Sequence, residues 1–106
     1  MFDGDRYITS GIQAQIGLGI QNVIWCMIDV LRKESIDLDY IQVFKLYIQK
    51  NGNTSRQRVV HEQKISNYTR MYTFPCTNPV CAKVFVISST DKDGKDYSTM
   101  LLAEEL

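Results

Sequence analysis

The sequence predicts a two-layer α+β domain in which one main amphipathic helix packs on one face of an antiparallel meander sheet of about five strands. Residues 39–48, DYIQVFKLYI, form the longest run of strand-favouring residues and carry apolar groups on both alternating sets, as a central strand does. The Asn51-Gly52 pair that follows is a strong hairpin signal. Between residues 16 and 31, apolar residues recur three and four positions apart, which indicates a helix.

The composition is that of one globular domain covering residues 1–106. Hydrophobic residues make up 44% and charged residues 23% of the chain, values close to globular averages that argue against disorder. Twelve Lys and Arg balance twelve Asp and Glu, so the chain lacks the overall positive charge of non-specific nucleic-acid binders. Any surface for nucleic acid therefore has to be local.

Cysteine usage and hydropathy predict a reduced, cytoplasmic protein. The start, MFDGDRY, is acidic and shows no secretory signal. The apolar segment at residues 23–31 is interrupted by Asp29 and is too short to span a bilayer, so no membrane association is expected. Cys26, Cys76 and Cys81 are an odd number for a disulfide framework, and reduced thiols are therefore expected.

The remaining elements follow from patterning and turn signals along the chain. Residues 6–12, RYITSGI, predict a short N-terminal strand or an extended arm. The main helix is expected from about Leu18, because glycines precede it, to near Glu34, after which residues 35–37 turn the chain. Further strands are predicted at residues 39–49, 55–65, 68–74, 82–88 and 97–103.

Pairing across the predicted hairpins divides the strand residues between two faces. A two-residue turn at Asn51-Gly52 gives these pairs: Val43 with Val60, Phe44 with Val59, Lys45 with Arg58 and Tyr47 with Arg56. A turn at Ser66-Asn67 then places Phe74 opposite Val59 and Tyr72 opposite His61. The apolar face should meet the helix in one core that contains Phe44, Leu46, Val59, Phe74, Val23 and Met27.

Three strings in the chain, MFDGDRYITSGI, DYIQVFKL and YSTMLLAEEL, resemble a staphylococcal-type family of short bacterial proteins known only as a domain of unknown function. The similarity extends along most of the chain. It implies a small cytoplasmic bacterial protein, and it implies no chemistry because the strings contain no catalytic motif. No functional residue is carried over from the family.

No catalytic residue, cofactor or metal site is predicted, although some features suggest one. Cys76 and Cys81 in CTNPVC could share a metal or form a reversible disulfide, but their spacing fits no common zinc or redox motif, and structural thiols are favoured. His61 is expected to face the core and lacks the partners of a nucleophile–base pair. DKDG at residues 91–94 resembles the start of a calcium loop, yet Leu102 stands where a glutamate is required.

Trp25 is the first candidate interaction residue. Helical spacing places it opposite the apolar stripe, among Gln21, Asn22, Asp29 and Arg32. An exposed indole at this position suggests contact with a protein partner or with a second copy of the chain. The alternative, which the sequence leaves open, is a tryptophan covered by the N-terminal arm or another local segment.

A basic hairpin is the second candidate surface. Residues 45–70 carry six Lys or Arg side chains against Glu62 alone. In the predicted register two positive residues lie opposite each other on one face of the sheet, beside a tyrosine. The candidate residues of this surface are Lys45, Tyr47, Arg56 and Arg58. This pattern suggests a surface for an anion or for single-stranded nucleic acid, and the alternative is compensation by the acidic residues 91–105.

The function favoured by the sequence is a small non-enzymatic binding or interaction module whose expected partner is another protein or a second copy in a homodimer. The alternatives are binding of an anion or single-stranded nucleic acid through the first hairpin, and a small enzyme with an unrecognised site. Convergent polar groups in a pocket would indicate the enzyme, whereas an exposed apolar or charged surface would indicate the interaction module.

Overall fold

The structure, a computed structural model, describes residues 1–34 and 36–106. Two helices, α1 (Ser10–Gln15) and α2 (Leu18–Lys33), lie between the first and second strands, and a 3-10 turn (Ala103–Glu105) follows the last strand. The turn expected at residues 35–37 begins outside the described residues. The strands are β1 (Asp5–Ile8), β2 (Ile41–Asn51), β3 (Thr54–Gln63), β4 (Tyr68–Pro75), β5 (Ala82–Thr90) and β6 (Asp96–Leu102).

The strands form one mixed sheet of six strands in the order β1-β6-β5-β2-β3-β4. β1 runs parallel to β6, and the other neighbouring pairs are antiparallel. The α+β class with one main helix is confirmed, but the prediction of a purely antiparallel sheet of about five strands is wrong. After β4 the chain returns across the sheet, so that β5 pairs with the free side of β2. Local patterning does not encode this return.

The N-terminal segment is a strand followed by a helix. β1 ends at Ile8, and the backbone N–H of Thr9 still donates to the carbonyl of Met100. The Thr9 hydroxyl then accepts the N–H of Ile12 at 3.3 Å and caps α1, which buries Ile12. The predicted strand over residues 6–12 is therefore too long, because the capping threonine inside it starts a helix.

The main helix, α2, lies within one residue of its predicted bounds. Arg32 and Lys33 occupy its last turn, where positive charge complements the carbonyl end of a helix. Its buried stripe packs on the sheet and consists of Ile20, Ile24, Met27, Ile28 and Leu31. Among the residues that the structure describes, no helix combines the length and apolar character needed to cross a membrane.

The core lies between this stripe and one face of the sheet. Four of the six predicted core residues are buried: Phe44, Leu46, Val59 and Met27. Val23 and Phe74 are partly buried and pack against the same cluster. Additional core residues from α1, β5 and β6 are Ile12, Val84, Val86, Met100 and Leu102.

The first hairpin turns one residue later than predicted. Asn51 pairs with Thr54, so Gly52 and Asn53 are the turn residues, and Gly52 takes the positive φ of 64° that favours glycine. The register consequently moves by two residues. Since side chains alternate with a period of two, every strand residue of the hairpin stays on its predicted face but meets a different partner.

The connection from β4 to β5 crosses the helix-facing side of this hairpin. Gln57 is buried there, and its amide both donates to the Val80 carbonyl at 3.0 Å and accepts the Val80 N–H at 2.8 Å. Cys76 and Val80 pack against the core cluster. This connection therefore covers the part of the hairpin that α2 does not reach.

Candidate interaction surface

The sheet has a covered face and an open face. α1 and α2 pack on the covered face, where Phe44 and Val59 are fully buried. The alternate side chains project to the other side, which no described helix covers. The open face consists of Tyr7, Ile41, Val43, Lys45, Tyr47, Arg56, Arg58, Val60, Glu62, Met71, Lys83, Phe85, Ile87 and Leu101.

An apolar cleft of about 320 Å³ lies on the open face. Ile41 and Val43 from β2 and Phe85 from β5 line it within the sheet. Three apolar side chains that line it from outside the strands are largely exposed: Tyr40 at 55%, Ile65 at 83% and Leu106 at 74%. We call this the open-face cleft. It concentrates apolar surface that a partner can remove from water.

The rim of the open-face cleft carries positive charge. Lys64 and Lys83 both line it, and neither forms an ion pair with a described residue. Asp39 lies at the same cleft, but its carboxylate accepts the backbone N–H groups of Lys64 at 3.0 Å and of Ile65 at 2.7 Å. The Asp39 charge is therefore directed to the main chain. Lys83 Nζ lies 5.5 Å from the centre of the Phe85 ring, and both lysines help to lower the pKa of Glu62, but no ion pair neutralises either of them.

Asp39 also fixes the wall of the cleft. Burial by itself would raise the pKa of the Asp39 carboxyl, but hydrogen bonds from Ile65, Ser66 and Lys64 outweigh burial and hold the pKa below its ordinary value. The carboxylate is consequently ionised at neutral pH. It anchors the loop between β3 and β4, which carries the exposed side chain of Ile65.

Lys45 does not take part in the like-charge pair that the sequence predicted. It lies opposite Val60, and its Nζ is 2.8 Å from Oε1 of Glu62 on the same face. The hydrogen bond to Glu62 raises the pKa of Lys45, and the same contact lowers the pKa of Glu62. The prediction of Lys45 opposite Arg58 is wrong because the turn lies one residue later, which brings an acid within reach.

The other cationic candidates do lie together on the open face. Arg58 is opposite Tyr47, whose side chain is 44% exposed, so the predicted pairing of Tyr47 with Arg56 is also wrong. Arg58 Nη2 lies 2.8 Å from the sulfur of Met71, and Arg56 Nη2 donates weakly to the Thr73 carbonyl at 3.5 Å. Neither arginine forms an ion pair within the described part of the chain.

Trp25 lies apart from these residues, on the covered side of the sheet. Its side chain is partly buried and packs against the core cluster. The guanidinium of Arg6 in β1 lies 4.8 Å from the centre of the indole ring and also binds Asp29 of α2. The N-terminal segment thus contacts the tryptophan, as in the alternative, and a role for Trp25 in an interaction stays a prediction.

His61 occupies the core, as expected. Its Nε2 lies 2.6 Å from Oε1 of Gln42, and its ring stacks on Phe44 with ring centres 4.2 Å apart. Nδ1 is buried without a hydrogen-bond partner among the described residues. Burial, with a smaller contribution from Arg70, lowers the pKa of His61 to about 4, so the ring is neutral at pH 7.

The cysteines form no disulfide within the described residues, and the aspartate-rich turn has a local structural role. Cys26, Cys76 and Cys81 are free thiols. Asp91 accepts the N–H groups of Asp93 and Lys95 at 2.8 and 2.9 Å, which closes the turn between β5 and β6. Within residues 1–34 and 36–106, no cluster of at least three His, Cys, Asp or Glu side chains could hold a metal ion.

A second apolar groove, between α2 and β4, was missed by the sequence analysis. Its volume is about 390 Å³, and its apolar wall includes Val23, Cys26 and Val30 of α2 and Tyr72 of β4. β4 forms one edge of the sheet, so the groove opens sideways to solvent. The sequence does predict the strand that lines this groove, because residues 68–74 combine strand-favouring side chains with one charge. It does not show that the strand lies at an edge of the sheet, which requires the strand order.

Comparison with known proteins supports the fold and gives no activity. A family model described as staphylococcal protein of unknown function (DUF960) matches residues 5–105, which confirms the resemblance seen in the sequence. A solved structure of a protein of unknown function from Enterococcus faecalis is 24% identical, with a TM-score of 0.73 over 98% of this chain and 92% of that chain. At that identity the likeness shows a shared fold alone. The chain matches no curated protein.

Proposed function

We propose that this chain, which belongs to the staphylococcal family of proteins of unknown function, is a small non-enzymatic binding module that works through the open face of its sheet. The observation that carries the proposal is the open-face cleft, with its apolar lining and two unpaired lysines. An exposed apolar surface of this kind is typical of interaction sites. The free cysteines support a cytoplasmic location for the module.

The chemistry of the cleft favours a protein segment with an apolar side chain flanked by carboxylates. The apolar side chain would cover Ile41, Val43 and Phe85. Carboxylates beside it would face Lys64 and Lys83, which form no ion pair with a described residue and whose neighbouring acid, Glu62, is bonded to Lys45. Apolar burial supplies most of the affinity in such a contact, and the lysines select acidic segments over basic ones.

Affinity purification from the native cell tests this surface when two charge-matched variants are compared. The cleft variant is Lys64→Glu with Lys83→Glu, and the control is Lys92→Glu with Lys95→Glu on the exposed turn between β5 and β6. Both variants make the same change in net charge. We expect a protein that is retained by the wild type and by the control to be lost from the cleft variant.

The outcome is read from the difference between the variants. A partner retained equally by all three proteins would contradict the assignment of the surface. So would the absence of any protein that distinguishes the wild type from the cleft variant. Circular dichroism of each variant, compared with the wild type, shows whether a loss of binding reflects a loss of fold.

A second candidate function, binding of single-stranded nucleic acid, is favoured by the two arginines of β3. Arg56 and Arg58 lie on the open face, without ion pairs among the described residues, beside the half-exposed ring of Tyr47. Cationic side chains around an aromatic ring can hold a phosphate backbone and stack a base. Lys45 contributes less than the sequence suggested, because Glu62 neutralises it.

Titration of labelled single-stranded RNA and DNA tests this candidate. The arginine variant is Arg56→Glu with Arg58→Glu, and the same Lys92→Glu, Lys95→Glu protein is the control. Binding that weakens as salt rises and is lost only in the arginine variant would support the nucleic-acid function. Equal binding by all three proteins, or none, would remove it.

A further inference from the structure

β4 leaves one edge of the sheet without a partner strand. It has eight residues and ends the sheet in the described part of the chain, so its outward N–H and C=O groups are free for another strand. Tyr, Thr, Met and Phe dominate it. Its single charged residue, Arg70, is neutralised by Glu34 of the helix layer, with Nη2 2.7 Å from Oε1.

The opposite edge, β1, is protected. β1 has four residues, and it carries two charged side chains, Asp5 and Arg6. Arg6 binds Asp29 and covers the Trp25 ring, which closes the flank of α2 on that side. Short strands, charged side chains and proline are the usual defences of an edge strand against pairing with another chain. β4 is twice as long as β1, its one charge is neutralised, and its proline, Pro75, stands at its last position.

The flank of α2 beside β4 is open and apolar. Val23, Cys26 and Val30 face the groove, with Val30 and Tyr72 exposed. We propose that β4 pairs antiparallel with β4 of a second copy of this chain, which forms a symmetric dimer with one continuous sheet. This inference goes beyond the binding function, since it uses the sheet edge and the α2 groove rather than the open-face cleft.

Symmetry explains why a second copy fits this edge. A two-fold axis perpendicular to the sheet runs the two β4 strands antiparallel and keeps both helix layers on the same side. The two α2 flanks then face each other across the axis, so that each apolar groove meets an identical apolar groove. Because Arg70 is neutralised by Glu34 and the chain has a formal net charge of zero, two copies approach without net repulsion.

The available area predicts a dimer of modest strength. Eight residues in a strand span roughly 27 Å at about 3.4 Å each, and the shortest dimension of the molecule is 20 Å. The contact edge is then on the order of 500 Å² per copy, or about 1,000 Å² in total, which is near the lower limit for specific interfaces. Filling the α2 groove across the axis adds to this, and the dimer should dissociate on dilution.

Sedimentation equilibrium of the full chain from micromolar to millimolar concentration tests the proposal. We expect the mass to rise from 12.2 kDa toward twice that value. The test variant is Tyr72→Lys on β4, and the matched control is Tyr7→Lys on β1, because the two tyrosines are 52% and 53% exposed. Tyr72→Lys should keep the chain monomeric throughout, whereas Tyr7→Lys should dimerise like the wild type.

Hydrogen exchange at the two ends of this concentration range identifies the edge itself. Amides of β4 should become more protected at high concentration, while those of β1 should not, since pairing protects only the edge that receives a strand. A second variant, Val30→Lys on α2, leaves β4 unchanged and should also weaken the dimer. It keeps the test decisive if Tyr72→Lys does not fold.

Three results would overturn the inference. The first is a wild type that stays monomeric at millimolar concentration. This holds even if a different protein is found to protect the β4 amides from exchange. The second is a dimer that persists in folded Tyr72→Lys and Val30→Lys proteins. The third is a dimer that is lost in Tyr7→Lys, which would place the contact at the β1 edge.

Discussion

The covered and open faces of the sheet are formed by the same strands, yet their side chains meet different surroundings. On β2, Phe44 is fully buried beneath the helices, whereas the next residue, Lys45, reaches Glu62 at the solvent boundary. On β5, Val84 is buried and its neighbour Phe85 lines an open cleft. One alternating set of side chains therefore forms the core, and the other set is available for contact with a partner.

Structural restraints are nevertheless present on the open face. Asp39 anchors the loop that forms one wall of the open-face cleft, and Lys45 and Glu62 link β2 to β3. These contacts hold the surface in shape without burying it. A rigid, partly apolar surface loses little conformational freedom when a partner binds, which favours its use as an interaction site.

The largest expected effect comes from removing a ring on each face in turn. Phe44→Ala should lower the free energy of unfolding by about 3–5 kcal/mol, because it leaves a cavity in the closed core. Phe85→Ala removes the same atoms from a partly exposed site and should cost about 1–2 kcal/mol. Urea denaturation of both variants gives the two values from their midpoints and slopes.

Equal losses of unfolding free energy in Phe44→Ala and Phe85→Ala would contradict the difference between the two faces. They would show that the open face is as closely packed in solution as the covered face. An unchanged midpoint in Phe44→Ala would contradict the burial of that ring. Phe85→Ala should in addition weaken retention of a partner by the open-face cleft. Phe44→Ala should do so only through unfolding.

The second effect is a pH dependence that belongs to the covered face. The pKa of His61 is about 4 in the folded protein, below its value of 6.5 in an unfolded chain, so the unfolded state takes up the proton first. The stability that His61 contributes is complete above pH 6.5 and is lost as the pH falls toward 4. The shift corresponds to about 3 kcal/mol in total.

His61→Gln is the matched variant for this pH effect, because its amide can still donate to Gln42 Oε1 but does not titrate. Urea midpoints between pH 7.5 and pH 5 should fall in the wild type and change much less in the variant. This window lies above the range in which Asp39 and Glu62 lose their charge, since both have lowered pKa values. Parallel slopes in the two proteins would show that another group titrates.

The elements and faces could be predicted from the sequence because they depend on local patterns. The apolar period of α2 and the alternation in β2 follow directly from residue spacing. The register could not be predicted, because Asn51-Gly52 fits either a turn at both residues or one that begins at Gly52. The observed pairing of Asn51 with Thr54, with positive φ at Gly52 but not at Asn51, selects the second. The face of Lys45 was therefore right and its partner was wrong.

The candidate surfaces depend on contacts between distant segments, which a single sequence does not reveal. Ile65 reaches the cleft from the loop between β3 and β4, and Leu106 reaches it from the end of the 3-10 turn after β6. Nothing in their local sequence brings them together. Trp25 looked exposed on a helix taken alone, whereas Arg6 from β1 covers its ring. The apolar groove beside β4 required knowledge of the strand order.

The smallest expected effect is a gain in stability from the helix that closes the covered face. Gly19 lies in the first turn of α2, and a Cβ placed there would meet no atom within 4 Å. Gly19→Ala should raise the free energy of unfolding by about 0.5–1 kcal/mol, because alanine loses less backbone freedom in a helix. Gly11→Ala in α1 is the contrasting control. Its Cβ would lie 2.6 Å from the Glu105 carboxyl, which would have to move and give up its hydrogen bonds from Thr9 Oγ1 and Gly11 N, so this variant should destabilise the fold. Urea denaturation measures both changes, and partner retention by the open-face cleft should be the same in Gly19→Ala as in the wild type. A loss of stability in Gly19→Ala would mean that the first turn of α2 is not helical in solution, and a change in partner retention would mean that the two faces are coupled.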